Sequence, residues 1–473
     1  MHVDMWDIWE RAEEGPICPE KEFDMKRVAA KTREIVKKYE IKYDPEQVVP
    51  TDDEEIDRIY EAGLELIAEV GVLCTDTEKI IQFKREEIED TLDLCPGRVT
   101  IGEGKEAVEW VHRGVEDPRM PLIHGGFMGC PVSEDIAPRV FEAYARGTAL
   151  DIFSTGPIAT LRGRAIKPGT PVETYAEKVL LAAIREGCRR AGRPGLPTSG
   201  TNQLSDMAPI GAMHARYWRQ SDFIIAVLEV QMKVNFGKLC LMETARDYGM
   251  LRFGCGTGFV GGFFGGPEGA AVGAVAETLA SYLVFGRPDL TQVYAPDVMN
   301  GPGCADRKPL WAETRAEAAL ARNTKLVWMS PGPYACHAGA GTEMYFREMA
   351  ASTIAQVPCG GIPFHGSGED GIGLDAFGGP LDTTFLRDVA QAATKLSRAE
   401  ANDIVKTLLA KYEDRVIAKD PEKGKTFREL NDLDTLQPTA EFVALYEHMK
   451  AELEDLGLDF AKSPALDLAG VAS

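Results

Sequence analysis

Eight short apolar runs, each breaking into glycine or polar residues before a helical pattern, constrain this chain more than any other feature. They are PLIHGG at 121, DIFSTGP at 151, GLPTSG at 195, FIIAVLEV at 223, LRFGCGTGFVGGFFGGP at 251, TQVYAP at 291, KLVWMSPGPYACHAGAG at 325 and GIPFHGSGED at 361. Their starts lie 28 to 44 residues apart, room for a strand, a helix and two loops each. A strand that ends in a polar tip before a helix is the unit that places side chains at the C-terminal mouth of a parallel barrel. Eight such units predict a closed (β/α)8 barrel over 116–390. A doubly wound open sheet is the alternative, although no GxGxxG follows the first strand.

Helix signals fill the intervals. Thr170-Pro-Val-Glu173 reads as a capping box with proline at the first helical position, and the helix it opens closes at Gly192. A second helix follows Pro267 and ends at Gly286. Residues 1–115 read as a charged helical extension packed on the barrel, with Ile56, Ile59, Leu64 and Ile67 striping a helix capped near Thr51. Residues 391–473 read as further helices, one opened by the box Ser397-Arg-Ala-Glu400, and a frayed tail.

Bulk properties exclude several classes. The net charge of −22, with no basic stripe, argues against nucleic acid. No apolar run nears the roughly 18 residues of a membrane span, and the polar start is no signal peptide, so a cytoplasmic protein is expected. Ten cysteines without a CxxC predict reduced thiols rather than a disulfide framework or zinc ribbon.

Longer motifs carry a resemblance. HGGFMGCPVSEDI (124–136), LDIFSTGPIATLRGRAIKPGTPVET (150–174), AGRPGLPTSG (191–200), VGGFFGG (260–266) and GAGTEM (339–344) are similar to the monomethylamine:corrinoid methyltransferase family, collinearly from about residue 5 to 460. The resemblance implies a TIM-like (β/α)8 barrel with N- and C-terminal helical additions, assembled as a homohexamer. It implies methyl transfer from an amine to the Co(I) of a separate corrinoid protein, with no tightly bound cofactor on this chain. The family carries pyrrolysine, whose imine captures the amine, at the position matching Ser199. Ile225 and Cys255 match two family acids, and Pro333 and Ala335 match a glutamine and a tyrosine; Tyr334 matches the family's first tyrosine.

A serine hydroxyl does not capture an amine, so the site reads as rebuilt for another donor. Transfer of methyl to a nucleophilic metal needs an activated leaving group. A quaternary or otherwise activated N-methyl compound brings that activation with it. Strand-tip rings Phe127, Phe153, Phe263, Phe264 and Tyr334 are candidate walls for such a cation, against ordinary packing of the same rings. If strand four runs on, Glu229 and Gln231 share the inward face with Ile225; a salt bridge of Glu229 to Arg162 or Arg252 is the alternative. Cys255, Cys336, His337 and His365 raise a zinc-assisted O- or S-methyl transferase as a competing reading. A non-catalytic paralogue that binds only the amine or the corrinoid protein is a third. Ser199, Glu229, Cys255 and Tyr334 are the expected catalytic set, with Gln231, His337 and His365 among the substrate contacts and no metal.

Overall fold

The structure, a computed structural model, describes residues 2–147, 149–200, 205–214, 217–301, 303–330, 336–366 and 375–460. All eight expected strands form: β1 (His124–Met128), β2 (Ile152–Ser154), β3 (Thr198–Ser199), β4 (Phe223–Val227), β5 (Leu251–Cys255), β6 (Leu290–Gln292), β7 (Trp328–Met329) and β8 (Phe364–Gly366). They pair in parallel in sequential order, with β8 against β1. The bridge of Ser330 to Pro363, with Ser330 N–H donating to Ile362 at 2.8 Å, joins β7 to β8 and closes the barrel.

One helix follows each strand: α1 (Ala137–Arg146), α2 (Pro171–Arg190), α3 (Met207–Ala212), α4 (Phe236–Asp247), α5 (Pro267–Val284), α6 (Arg307–Asn323), α7 (Glu343–Gln356) and α8 (Pro380–Ala393). Helices α5, α6 and α7 are buried almost all round because a second helical layer covers them. The helix Asp53–Val70 lies on α5 and α6, so close that a Cβ on Gly63 would come within 2.5 Å of Val275 Cγ1. Arg398–Leu409 covers α7 in the same way. The cap of Asp53–Val70 is Asp52, which accepts from Glu54 N–H, one residue beyond the Thr51 read from sequence.

The N-terminal region also holds strands that its charged composition concealed. Val72–Cys74 pairs antiparallel with Lys79–Ile81 and parallel with Lys233–Val234, tying the extension to the loop after β4. The hairpin Arg98–Ile101/Val108–Val111 sends Val99, Ile101 and Trp110 into the apolar cluster that fills the barrel interior.

Candidate active site in the barrel lumen

Alternation along the strands decides which side chains meet in the lumen. Phe223, Phe253, Leu290, Met329 and Phe364 pack together there, with Met128 and Cys255 towards the C-terminal mouth. His124, Ser199, Phe253 and Met329 lie on β1, β3, β5 and β7, the alternate strands that make one layer of a barrel core.

That layer carries a buried polar pair. Ser199 Oγ lies 2.5 Å from His124 Nε2, and His124 Nδ1 lies 3.1 Å from Met329 Sδ. A thioether sulfur only accepts, so Nδ1 carries the hydrogen and Nε2 accepts from the serine hydroxyl. Burial alone drives the His124 pKa down to about 3, which keeps the imidazole neutral. Ser154 Oγ donates to the Ser199 carbonyl at 3.4 Å, and Gln292 at the end of β6 adds a neutral amide on the lumen face. The Cys255 thiol is also neutral, because complete burial raises its pKa well above the ordinary range.

Ser199 and Cys255 therefore reach the lumen as expected from sequence, and several other candidates do not. Phe127 and Phe153 have the opposite parity to His124 and Ser154. They point outward into a cluster with Phe141 and Tyr144 of α1, at centroid separations of 5.4 to 6.3 Å. His365 points outward too, where Tyr345 Oη and Thr383 Oγ1 hold its two ring nitrogens at 3.0 and 3.1 Å. Phe264 packs against Gly273 of α5, and Phe263 is half-buried beneath the Lys233 ammonium. His337 lies in the loop after β7 against Gly303, its Nε2 3.7 Å from Asp306. Tyr334 lies outside the described residues.

The inward run expected along strand four ends at Val227. From there the chain leaves the barrel to pair with Val72–Cys74, so Glu229 accepts from Thr75 Oγ1 at 2.9 Å and Asn235 Nδ2 at 2.6 Å. Neither Arg162 nor Arg252 is its partner; Arg252 donates to the carbonyls of Phe285, Gly286 and Arg287. Gln231 is fully buried and accepts from Phe263 N–H at 2.7 Å, bridging the loops after β4 and β5. Cys255, Cys336, His337 and His365 do not converge, and among the described residues no three His, Cys, Asp or Glu side chains are placed to share a metal ion.

The mouth loops are held from behind by carboxyl groups on the helices. Glu277 of α5 accepts from Met232 N–H at 2.7 Å, Glu313 of α6 from Ala295 N–H at 2.9 Å, and Glu348 of α7 from His337 N–H at 2.6 Å. Burial pushes each of these carboxyl groups up to about 8. Their folded-state pKa values exceed the ordinary value near 4.3, so the folded state holds protons that the unfolded chain releases. That stability is complete below the unfolded pKa and is lost as pH rises through about 8. The buried histidines, lowered to about 3 or 4, are neutral in both states above pH 7 and do not oppose the trend. The melting temperature is expected to fall from pH 7 to pH 9 by calorimetry; a flat or rising profile would contradict the protonated state of these groups.

The profile of the monomethylamine methyltransferase MtmB family matches residues 3–458. Monomethylamine methyltransferase MtmB2 of Methanosarcina acetivorans is 28% identical over 459 residues, covering 97% of this chain and 98% of its own. MtmB of Methanosarcina mazei is similar to the same extent. The crystal structure of the Methanosarcina barkeri monomethylamine methyltransferase MtmB superposes with a TM-score of 0.92 at 26% identity, covering 97% of this chain and 99% of that one. The hydroxylamine MtmB complex gives the same values. With its closed barrel and a match along nearly its whole length, the chain belongs to the monomethylamine methyltransferase MtmB family, enzymes that act as corrinoid-dependent methyltransferases.

Proposed function

We propose that this enzyme moves a methyl group from a small quaternary, or otherwise activated, N-methyl compound to the Co(I) of a cognate corrinoid protein, without pyrrolysine. The observation that carries the reading is the Ser199–His124 pair: a short hydroxyl, hydrogen-bonded to a neutral imidazole, at the position that resembles the family's amine-capturing residue. A hydroxyl in that state has no electrophilic atom to form an amine adduct.

A quaternary donor requires none. The C–N bond breaks with its electron pair remaining on nitrogen, the Co–C bond forms from the two electrons of Co(I), and a neutral tertiary amine leaves. No proton moves. Charge on the donor disperses as the bond breaks, so a lumen of Ile225, Met329, Phe364, Cys255 and neutral amide and hydroxyl groups favours the transition state over the bound cation. His124 orients Ser199, and the apolar layers exclude water that would solvate the cation.

The test uses a panel of quaternary amines carrying a trideuteromethyl label, mixed with purified protein and free cob(I)alamin. Mass spectrometry is expected to find labelled methylcobalamin and the matching tertiary amine for at least one donor. Label on cobalt from methyl ethers or thioethers alone would overturn the choice of an N-methyl donor.

A further inference from the structure

A groove of about 690 Å³ lies on the outside of the barrel, between the N-terminal helix Met5–Glu14 and α4. Trp6 and Trp9 line it from the first helix, Phe236 and Leu239 from the second. Trp6 is 70% exposed and stands edge-on to Trp9, with ring centroids 5.6 Å apart. So large an apolar ring is rarely left in water without a partner to cover it. Both walls are anchored from behind. The N-terminal helix buries Met5, Ile8 and Ala12, Arg11 pairs with Glu87 at 2.8 Å, and Thr77 Oγ1 donates to the Ala12 carbonyl at 2.6 Å. Helix α4 buries Leu241, Met242 and Ala245 and packs on β4 and β5. An apolar groove between two anchored helices is the shape that takes a third.

The rim selects the charge of that third helix. Glu10, Glu13 and Glu14 line the groove, are exposed and make no ion pair among the described residues. Glu10 repels Glu13 at i,i+3 and Glu14 at i,i+4. Glu13 and Glu14 also occupy the last turn, where the helix carbonyls already present negative charge. In the free protein these acids therefore destabilise the helix that carries them, and a cationic partner relieves both penalties. We propose that the groove receives a basic amphipathic helix of a partner protein. Its aliphatic side chains enter between the tryptophans and Phe236, and its lysines or arginines lie over Glu10, Glu13 and Glu14. A second copy of this chain, of net charge −22, meeting the groove about a two-fold axis would set acid against acid. An anionic membrane surface is repelled by the same rim. The groove lies outside the lumen, so its occupation is independent of the methyl donor.

The probe is a fluorescein-labelled peptide of about 18 residues with leucine and lysine at helical spacing, titrated against the full chain and followed by fluorescence anisotropy. The wild type is expected to bind it and not to bind the matching leucine–glutamate peptide. Glu10→Lys with Glu13→Lys is expected to weaken binding at least about ten-fold, as is Trp6→Ala with Trp9→Ala. Trp6→Ala alone, a change at an exposed ring, gives a several-fold loss and serves if a double variant fails to fold. Glu447→Lys with Glu454→Lys makes the same change of net charge at exposed positions of Ala440–Asp455, a helix packed on α7 and α8, and is expected to leave affinity within about two-fold. No binding by the wild type, equal binding of the acidic peptide, or equal losses in the groove and control charge reversals overturns the proposal. Dissociation of an assembled species by Trp6→Ala in sedimentation velocity would assign the groove to a second copy and overturn it as well. Trp6-dependent pelleting with phosphatidylserine vesicles would assign it to a membrane, with the same consequence.

Discussion

Arg315→Ala is expected to destabilise the protein by about 3–5 kcal/mol, the cost of breaking a buried ion pair by removing one partner. Arg315 on α6 is 1% exposed, and its guanidinium joins the barrel to the N-terminal layer. Its Nε meets Glu55 at 3.0 Å, Nη2 donates to the Gln47 carbonyl at 3.0 Å, and Nη1 donates to the Val48 carbonyl at 3.3 Å. The same group lies 3.9 Å above the Trp311 ring. Truncation leaves the largely buried Glu55 without its cation and the Gln47 carbonyl without this donor, while Val48 keeps only the Thr314 hydroxyl. A domain is stable by only about 5–15 kcal/mol, so the loss is a large part of the whole. Arg315→Lys keeps the charge but not the planar fork, and is expected to fall between the two. Urea unfolding midpoints measure both; a loss below about 1 kcal/mol for the alanine variant would mean that the extension is held chiefly by its apolar contacts with α5 and α6.

The barrel was legible because eight apolar runs break into polar or glycine-rich tips at regular intervals. Facing was not legible where a strand is buried on both sides. In HGGFM every residue is buried, so hydrophobicity does not separate His124 from Phe127, and glycines at 125 and 126 interrupt the alternation. The ladder itself slips there, with a register shift between Phe364 and Gly366 where β8 meets β1. Phe127, Phe153 and His365 consequently read as lumen residues when they face the helices. Counting by two along β1, β3 and β7 would have brought out His124, Ser199 and Met329 as one layer, and His124 is the site residue that the sequence reading passed over. Glu229 failed for a different reason. The segment after Val227 leaves the barrel to pair with Val72–Cys74, a partner some 160 residues away whose short strands lie in a helical-looking stretch. The loop-holding carboxyls were hidden too, since Glu277, Glu313 and Glu348 each read as an ordinary solvent-facing charge on a helix until the covering layer is known.

Monomethylamine is expected to be a very poor donor for this enzyme. Methylammonium, unlike a quaternary cation, can shed its proton, and a lumen of neutral buried groups favours that loss by desolvation. Transfer from the resulting free amine would expel an unstabilised amide ion unless something captures or protonates the nitrogen. Ser199 offers a hydroxyl already committed to His124, and His124, with a pKa near 3, carries no proton to give at neutral pH. Loss of acid–base activation is commonly worth roughly 10²–10⁴ in rate, and the quaternary donor avoids that penalty altogether. Ser199→Ala is expected to change the quaternary-donor rate by less than about ten-fold, because the hydroxyl makes no bond to the reacting carbon and its removal costs one buried hydrogen bond.

The most direct measurement sets the two donors side by side. Purified protein and cob(I)alamin are mixed under strictly reducing, anaerobic conditions, and methylcobalamin formation is followed spectrophotometrically, first with monomethylamine and then with the quaternary amine that the labelled panel identifies. Steady methylcobalamin formation is expected with the quaternary donor, and a rate at least about a hundred-fold lower with monomethylamine. Monomethylamine-dependent methylcobalamin formation at a comparable rate would contradict this expectation.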